Sequence, residues 1–338
     1  MDEAVVLELL QEVEEKSRAA VEELQRVVRD HEQNSPAAQR LLDAALPLVP
    51  PRLISQTLLK PYLSEVRCGG QVENQLRLIH FKKVLRRHGV LVAPGGNDKL
   101  LDYEFAAQLG IDTPRTLQSG VSVRELDLSV ECAIKPLQGA AARNVFLLYG
   151  GGIYEAKGGA EVSSRMELLD ICDRRGVGEK RWISEQLILR NGRPSHDFKV
   201  YAYYGKVGAV LEIRRSRKVE YCWYWPDGSL IDSMMGGHNT FRGCGFSGAL
   251  IRVAERVSLN TPTPFLRVDC FGDDAGKYYL GEITPHPGRY AGGYSCELDS
   301  KLGQEFFDAE ARLFADLLRG KAFKVYRRVY KRSIRASS

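Results

Sequence analysis

The chain predicts an α/β fold of the α+β kind, in which helices open the sequence and antiparallel hairpins dominate the rest. Three observations carry this. Apolar residues recur at helical spacing over the first ~90 residues. From about residue 130 the apolar period shortens to two, punctuated by Gly-centred turns. The 338 residues are 44% apolar, which suits a packed core rather than a disordered chain.

Residues 4–31 read as a helix. Val6, Val13, Ala20 and Val27 stand seven apart, with Leu10, Ser17 and Leu24 as a second row. The stripe suits packing onto the body of the protein better than a coiled coil; a homodimer is the alternative. Asn34-Ser35-Pro36 starts another helix, which Pro47, Pro50 and Pro51 end. Residues 74–88 form a basic amphipathic helix, and Gly89–Ala93 a short strand. Asn97 or Asp98 caps a helix whose apolar face is Leu101, Phe105, Ala106 and Leu109, and Gly110 stops it. Val130–Ile134 is a strand, followed by the small-residue loop 138–144. Val145–Tyr149 and Ile153–Ala156 make a hairpin, 163–175 a helix, and Trp182–Leu189 a strand. Phe198–Tyr204 and Val207–Ile213 turn at Gly205-Lys206. Trp223 and Trp225 flank a turn at Pro226-Asp227-Gly228. Helices over 246–258 and 303–320 bracket a hairpin over 265–284.

Charge and cysteine usage exclude several classes. A net charge of +5 is too small to argue for nucleic acid. Residues 1–50 hold eleven acidic against five basic side chains; residues 311–338 hold nine basic against one acidic. The basic end reads as the solvated end of a surface helix, with peripheral contact to an anionic surface as the alternative. No uncharged apolar run reaches the ~18 residues of a membrane span. The acidic N-terminus lacks the pattern of a signal peptide. Seven scattered cysteines without a CxxC suggest neither a zinc cluster nor a disulfide framework. A reducing cytoplasm is the expectation.

The segment FLRVDCFGDDAGKYYLGEITPHPG carries the strongest chemical signal. With Ala275-Gly276 as a two-residue turn, Asp274 faces Lys277, Phe271 faces Leu280, Asp269 faces Glu282 and Arg267 faces Thr284. Two carboxylates and an arginine then share one face, while Val268, Cys270 and Ile283 point to the other. Opposed like charges repel. A divalent cation between them resolves this, and Mg²⁺ prefers one or two carboxylates plus phosphate oxygens and water. A solvated hairpin with scattered charges is the alternative.

Ordered features surround this hairpin: Asn97-Asp98-Lys99 before a helix ending in LGIDTP, Lys135 at a strand end, WISEQLIL, HDFKVYAYYGKVGAV, RVD and GEITPHPG. Their order resembles the carboxylate–amine ligases of the ATP-grasp superfamily, in the branch associated with teichuronopeptide biosynthesis. The resemblance covers roughly residues 90–320. It implies a preceding region (51–120), a small lid (121–190) and a larger antiparallel-sheet C-terminal part (191–338), the last two clasping ATP, with the helices over 1–50 as an N-terminal extension. It implies that Lys99 and Lys135 contact the α- and β-phosphates and that loop 138–144 closes over them. Glu185, Gln186 and Ile188 would lie along the adenine, Asp197 at the ribose and Lys199 at the γ-phosphate. Asp269 and Glu282 would hold Mg²⁺, or Mn²⁺ in its place. Arg267 would stabilise the transferring phosphoryl group. Thr284 stands where the superfamily often has an Asn ligand, and a hydroxyl can ligate the cation or hold its water. The loop QGAAARN has one glycine, so its grip would rest on Arg143 and Asn144.

The implied activity is ATP-dependent amide formation between small-molecule or peptide carboxylates and amines, in peptide natural-product or cell-surface polymer biosynthesis. A nucleotide-binding assembly protein without turnover and an ATP-grasp phosphotransferase are the competing readings. His286, Arg289 and Tyr290 could meet the acceptor, and Arg214 and Arg215 an anionic substrate. An ordinary structural or solvated role is the alternative for each.

Overall fold

The computed structural model describes residues 69–87, 99–137, 139, 143–215, 218–231, 240–285, 287 and 296–335, and ten positions between 12 and 26. Those ten are helical, with Val21 buried. The expected helix after Pro36, strand 89–93, cap at Asn97 or Asp98, and residues His286, Arg289 and Tyr290 lie outside the described residues, as does most of loop 138–144.

Two compact units divide the chain. Among the described residues the first holds α1 (Gln71–Arg87) and residues 296–304. There Asp299 accepts the Val72 N–H at 3.0 Å, and a Cβ on Gly303 would stand 2.3 Å from the Gly69 carbonyl, so the backbones meet only because position 303 is glycine.

The second unit holds both large sheets. Helix α2 (Lys99–Gln108) ends where Gly110, at φ +64°, lets the Ile111 N–H turn back to Ala106 and its own to Ala107. The first sheet has the order β1-β6-β2-β3-β4-β5: Thr116–Val121, Trp182–Gln186, Cys132–Pro136, Phe146–Tyr149, Gly152–Glu155 and Glu161–Val162. Strand β1 was not legible, because TLQSGV lacks apolar alternation. Strand β6 stops at Gln186, short of the expected Leu189. Leu189-Arg190 (β7) instead turns through Asn191 and Gly192, both at positive φ, to pair with Arg193-Pro194 (β8). Helix α3 (Arg165–Arg174), capped by Ser164, supplies Leu168, Ile171 and Cys172 to a core with Ile134, Phe146 and Trp182.

The second sheet runs β11-β10-β9-β12-β13: Val219–Tyr224, Val207–Arg215, Asp197–Ala202, Leu266–Gly272 and Tyr278–Thr284. The β9–β10 turn is Tyr204-Gly205, at φ +40° and +88°, one residue before the expected pair. Helix α4 (Gly248–Leu259) packs against this sheet, burying Leu250, Ala254 and Val257. Helix α5 (Cys296–Leu318) begins earlier than expected within the described residues. The basic end forms α6 (Lys324–Arg335), which buries Tyr326, Val329 and Tyr330 and stacks both tyrosines near Phe105 of α2.

The hairpin of β12 and β13 pairs Asp269 with Glu282 and Arg267 with Thr284, as the sequence predicts, by a different route. The turn is a three-residue loop, 274–276, closed between Asp273 and Lys277, with Gly276 at φ +74°. Phe271 therefore faces Tyr279, not Leu280, and Asp274 does not face Lys277. A bulge at Gly281 restores the predicted register before the carboxylates. A Cβ there would stand 2.7 Å from Phe271 Cε2. Gly281→Ala should lower stability by about 1–3 kcal/mol through overpacking, read as a reduced urea midpoint.

Candidate active site

Six elements supply the candidate site: α2, β2, β6, β9, β12 and β13. On the first sheet, Lys135 and Glu185 share one face because Ala133 opposes Glu185 and Lys135 opposes Ile183. The Lys135 ammonium pairs with Glu185, and both are buried. Tyr103 of α2 donates its hydroxyl to the other Glu185 oxygen at 2.8 Å. Burial, and then Glu185, push the Tyr103 phenol well above its ordinary value, so it stays a donor.

Lys99 opens α2. Burial, followed by the neighbouring Lys135 ammonium, lowers its pKa against the pull of Glu282, Glu185 and Asp102. Two buried ammonium groups thus lie close enough to repel each other, an arrangement that favours a polyanion. Lys99 makes no hydrogen bond with another described residue. Asp102, one turn along α2, accepts the Ile283 N–H at 3.0 Å and the Tyr330 hydroxyl at 2.7 Å. It joins the Lys99 helix to the Glu282 strand.

On the second sheet, Asp269 is opposed by Lys199 on one side and Glu282 on the other. Lys199 Nζ lies 2.5 Å from Asp269 Oδ2, and Arg267 holds both carboxylate oxygens at 2.6 and 2.8 Å. Burial alone would raise the Asp269 pKa; Arg267 and then Lys199 outweigh it and hold the group ionised. Arg267 also reaches Thr284 Oγ1 at 3.3 Å. The Glu282 carboxylate makes no hydrogen bond or ion pair with another described residue, so it is available to a cation. Asp269, Glu282 and the Thr284 hydroxyl offer only oxygen, the donor set that suits Mg²⁺.

Other expected positions have partners of their own. Asp197 pairs with Arg215, whose Nε and terminal nitrogen lie 2.7 and 2.6 Å from one oxygen. The Gln186 N–H donates to Arg115 O at 2.8 Å, and the Ile188 carbonyl accepts from Ser195 at 2.9 Å. Arg214 pairs with Glu220 and stacks over Phe241. Asp102 and Tyr103 were missed by sequence reasoning. They sit mid-helix, where Asp and Tyr look like face residues, and only the tertiary fold brings them to partners.

Lys135 and Glu185 are buried enough that breaking their pair leaves an uncompensated charge. Lys135→Met should destabilise by roughly 3–5 kcal/mol, and adding Glu185→Gln should recover much of that loss. Chemical denaturation of the two variants measures this.

The model of the family described as TupA-like ATPgrasp matches residues 117–307, more than half the chain. Among solved structures, VanG D-Ala:D-Ser ligase from Enterococcus faecalis is similar at 15% identity and a TM-score of 0.41, covering 64% of this chain and 61% of its own. The D-alanine–D-alanine ligase from Bacillus anthracis complexed with ATP gives 16% identity and a TM-score of 0.42, covering 68% and 74%. The ATP-grasp ligase PsnB with minimal precursor, Mg and ADP gives 16% and 0.37, covering 64% and 59%. The chain thus spans about three-fifths of the VanG and PsnB chains. No curated protein matches its sequence. On the family match across both sheets and the hairpin of Asp269 and Glu282, the chain belongs to the TupA-like ATP-grasp family and has the ATP-grasp fold.

Proposed function

We propose that the chain is an ATP-dependent carboxylate–amine ligase that forms an amide through an acyl phosphate, releasing ADP and phosphate. The observation that carries the reading is the opposition of Asp269 and Glu282 on one sheet face with Arg267 and Lys199, across from Lys99 and Lys135. Family membership supports the nucleotide.

Asp269 and Glu282 would hold Mg²⁺ or Mn²⁺, with Thr284 beside them. The cation, when bound, neutralises phosphate charge. Lys99 and Lys135 would meet the phosphates from the α2 and β2 sides. Glu185, Gln186 and Ile188 would border the adenine and Asp197 the ribose. A substrate carboxylate oxygen bonds to the γ-phosphorus as the bond to the β–γ bridging oxygen breaks, and ADP leaves. The amine nitrogen then attacks the acyl carbon, phosphate leaves with the bonding pair, and the amine proton passes to phosphate or water. Positioning and charge neutralisation supply this chemistry, which needs no protein nucleophile.

The pairing on Asp269 adds a feature to this reading. Both cations suited to the transferring phosphoryl group, Arg267 and Lys199, rest on the metal-ligating carboxylate. With Asp269 and Glu282 holding the cation, Arg267 and Lys199 would stand on the same sheet face to meet the transferring phosphoryl group. Residues 121–190 would form the lid and 191–338 the larger lobe; no helix among the described residues is long and apolar enough to cross a membrane.

Mg-ATP at ~100 times its Kd should stabilise the chain by roughly 2.7 kcal/mol, seen as a raised melting temperature. An absent shift at millimolar nucleotide would count against the assignment. ADP release across a panel of carboxylates and amines, with product mass, tests ligation. A phosphorylated product without an amide would indicate a phosphotransferase, and binding without turnover an assembly role.

Arg267→Ala should lower kcat by about 10²–10³-fold, as loss of a donor to transition-state charge does, with a smaller change in KM for ATP. Glu282→Gln should weaken metal-dependent turnover and leave the fold intact by circular dichroism. An active Asp269→Ala/Glu282→Ala double variant would sink the mechanism.

A further inference from the structure

On the face of the second sheet opposite Asp269, three side chains of different chemistry converge. Glu212, in β10, is fully buried. His196 stands immediately before β9, and Cys244 lies in the loop leading to α4. His196 Nδ1 is 2.5 Å from Glu212 Oε1, Cys244 Sγ is 2.9 Å from the same oxygen, and Sγ is 3.7 Å from Nδ1. One ligand atom from each lies within 4.8 Å of the others.

This is not the geometry of a nucleophilic relay. A histidine that activates a thiol uses one ring nitrogen for the thiol and the other for the acid. Here the thiol and the carboxylate meet the same nitrogen. Three donors aimed at one point suit a cation instead.

Surrounding contacts hold the donors in place. Glu212 accepts the Cys244 and Gly245 N–H groups at 3.1 and 3.3 Å and the Tyr224 hydroxyl at 2.8 Å. Burial and Glu212 push the Cys244 thiol up, and Arg190 Nη1, 2.9 Å from Sγ, pulls the other way. A Cβ on Gly243 would stand 2.2 Å from Glu212 Oε2, so the loop reaches the carboxylate only with glycine there. Such outer contacts orient ligands in metal sites.

We propose that His196 Nδ1, a Glu212 oxygen and the Cys244 thiolate form a Zn²⁺ site, its fourth tetrahedral position open on the exposed side of Cys244. A mixed nitrogen, oxygen and sulfur set suits zinc and disfavours Mg²⁺ and Ca²⁺. Donors around tetrahedral zinc stand about 3.3–3.7 Å apart, given its bond lengths. The Nδ1–Sγ gap already meets this. The two gaps to Oε1 are hydrogen-bond lengths and open by under ~1 Å when the cation replaces the protons between those atoms. Binding takes up one Zn²⁺, releases the thiol proton to water, and moves the imidazole proton from Nδ1 to Nε2, so the ring stays neutral. The ion would staple the loop before α4 to β9 and β10, on the sheet face opposite Asp197 and Asp269, and it is independent of the ligase reading.

Cobalt titration of the metal-stripped full chain, without nucleotide, tests the site. One equivalent of Co²⁺ should give a thiolate-to-cobalt charge-transfer band with tetrahedral visible bands. The band should vanish in Cys244→Ser, whose side chain is exposed, and persist in Cys222→Ser and in Glu282→Gln. His196→Gln should weaken Co²⁺ binding by at least about 100-fold. Zn²⁺ should displace Co²⁺ and raise the melting temperature of the parent chain but not of Cys244→Ser. A parent chain with no charge-transfer band at stoichiometric cobalt, or an undiminished band in Cys244→Ser, overturns the proposal.

Discussion

The second unit is organised around the Asp102 carboxylate. From mid-helix it accepts the Ile283 amide with one oxygen and the Tyr330 hydroxyl with the other. Strand β13 is a sheet edge, and an edge amide needs a partner. Asp102 supplies one at Ile283, and the Asp112 carbonyl supplies one at Leu280. The edge is thereby covered, Lys99 is fixed opposite Glu282, and the C-terminal helix is docked through Phe105, Tyr326 and Tyr330. A polar group this buried holds its place through these bonds, and its loss would free three elements at once.

Electrostatics then separates the charges by role. Asp269 has two cations and Glu185 one within hydrogen-bonding reach, while the Lys99 ammonium has no carboxylate there among the described residues. Burial makes each imbalance costly. The repulsion between Lys99 and Lys135 and the open carboxylate of Glu282 are tolerated where a polyanion and a dication would cancel them. The compensated pair of Lys135 and Glu185, by contrast, ties β2 to β6.

Much of this was legible in the chain. The two-residue period and Gly-centred turns located the hairpins from 146 onward; Arg267, Asp269, Glu282 and Thr284 share the expected face because the bulge at Gly281, which the sequence did not announce, offsets the longer turn. The rest was not legible for identifiable reasons. Strand β1 has no apolar alternation and exists because β6 offers it an edge. The helical end 324–335 reads as basic because charges outnumber its buried positions, although Tyr326, Val329 and Tyr330 recur at packing intervals. The partners of Asp102, Tyr103 and Glu212 lie far away in sequence, and no local pattern can announce them.

The bulge at Gly281 has a consequence for how this hairpin can vary. The turn over 274–276 implies one alignment of the strands and the carboxylates require another, and the extra residue absorbs the difference. Beyond the bulge, Asp269 is aligned independently by its neighbour Lys199 in β9. The tip is thus mechanically insulated from the charged half of the hairpin. Substitutions at the tip that keep the bulge leave Asp269 and Glu282 on their face and cost only the tip's own contacts, the Asn191 N–H on Asp274 and the Lys277–Asp112 ion pair.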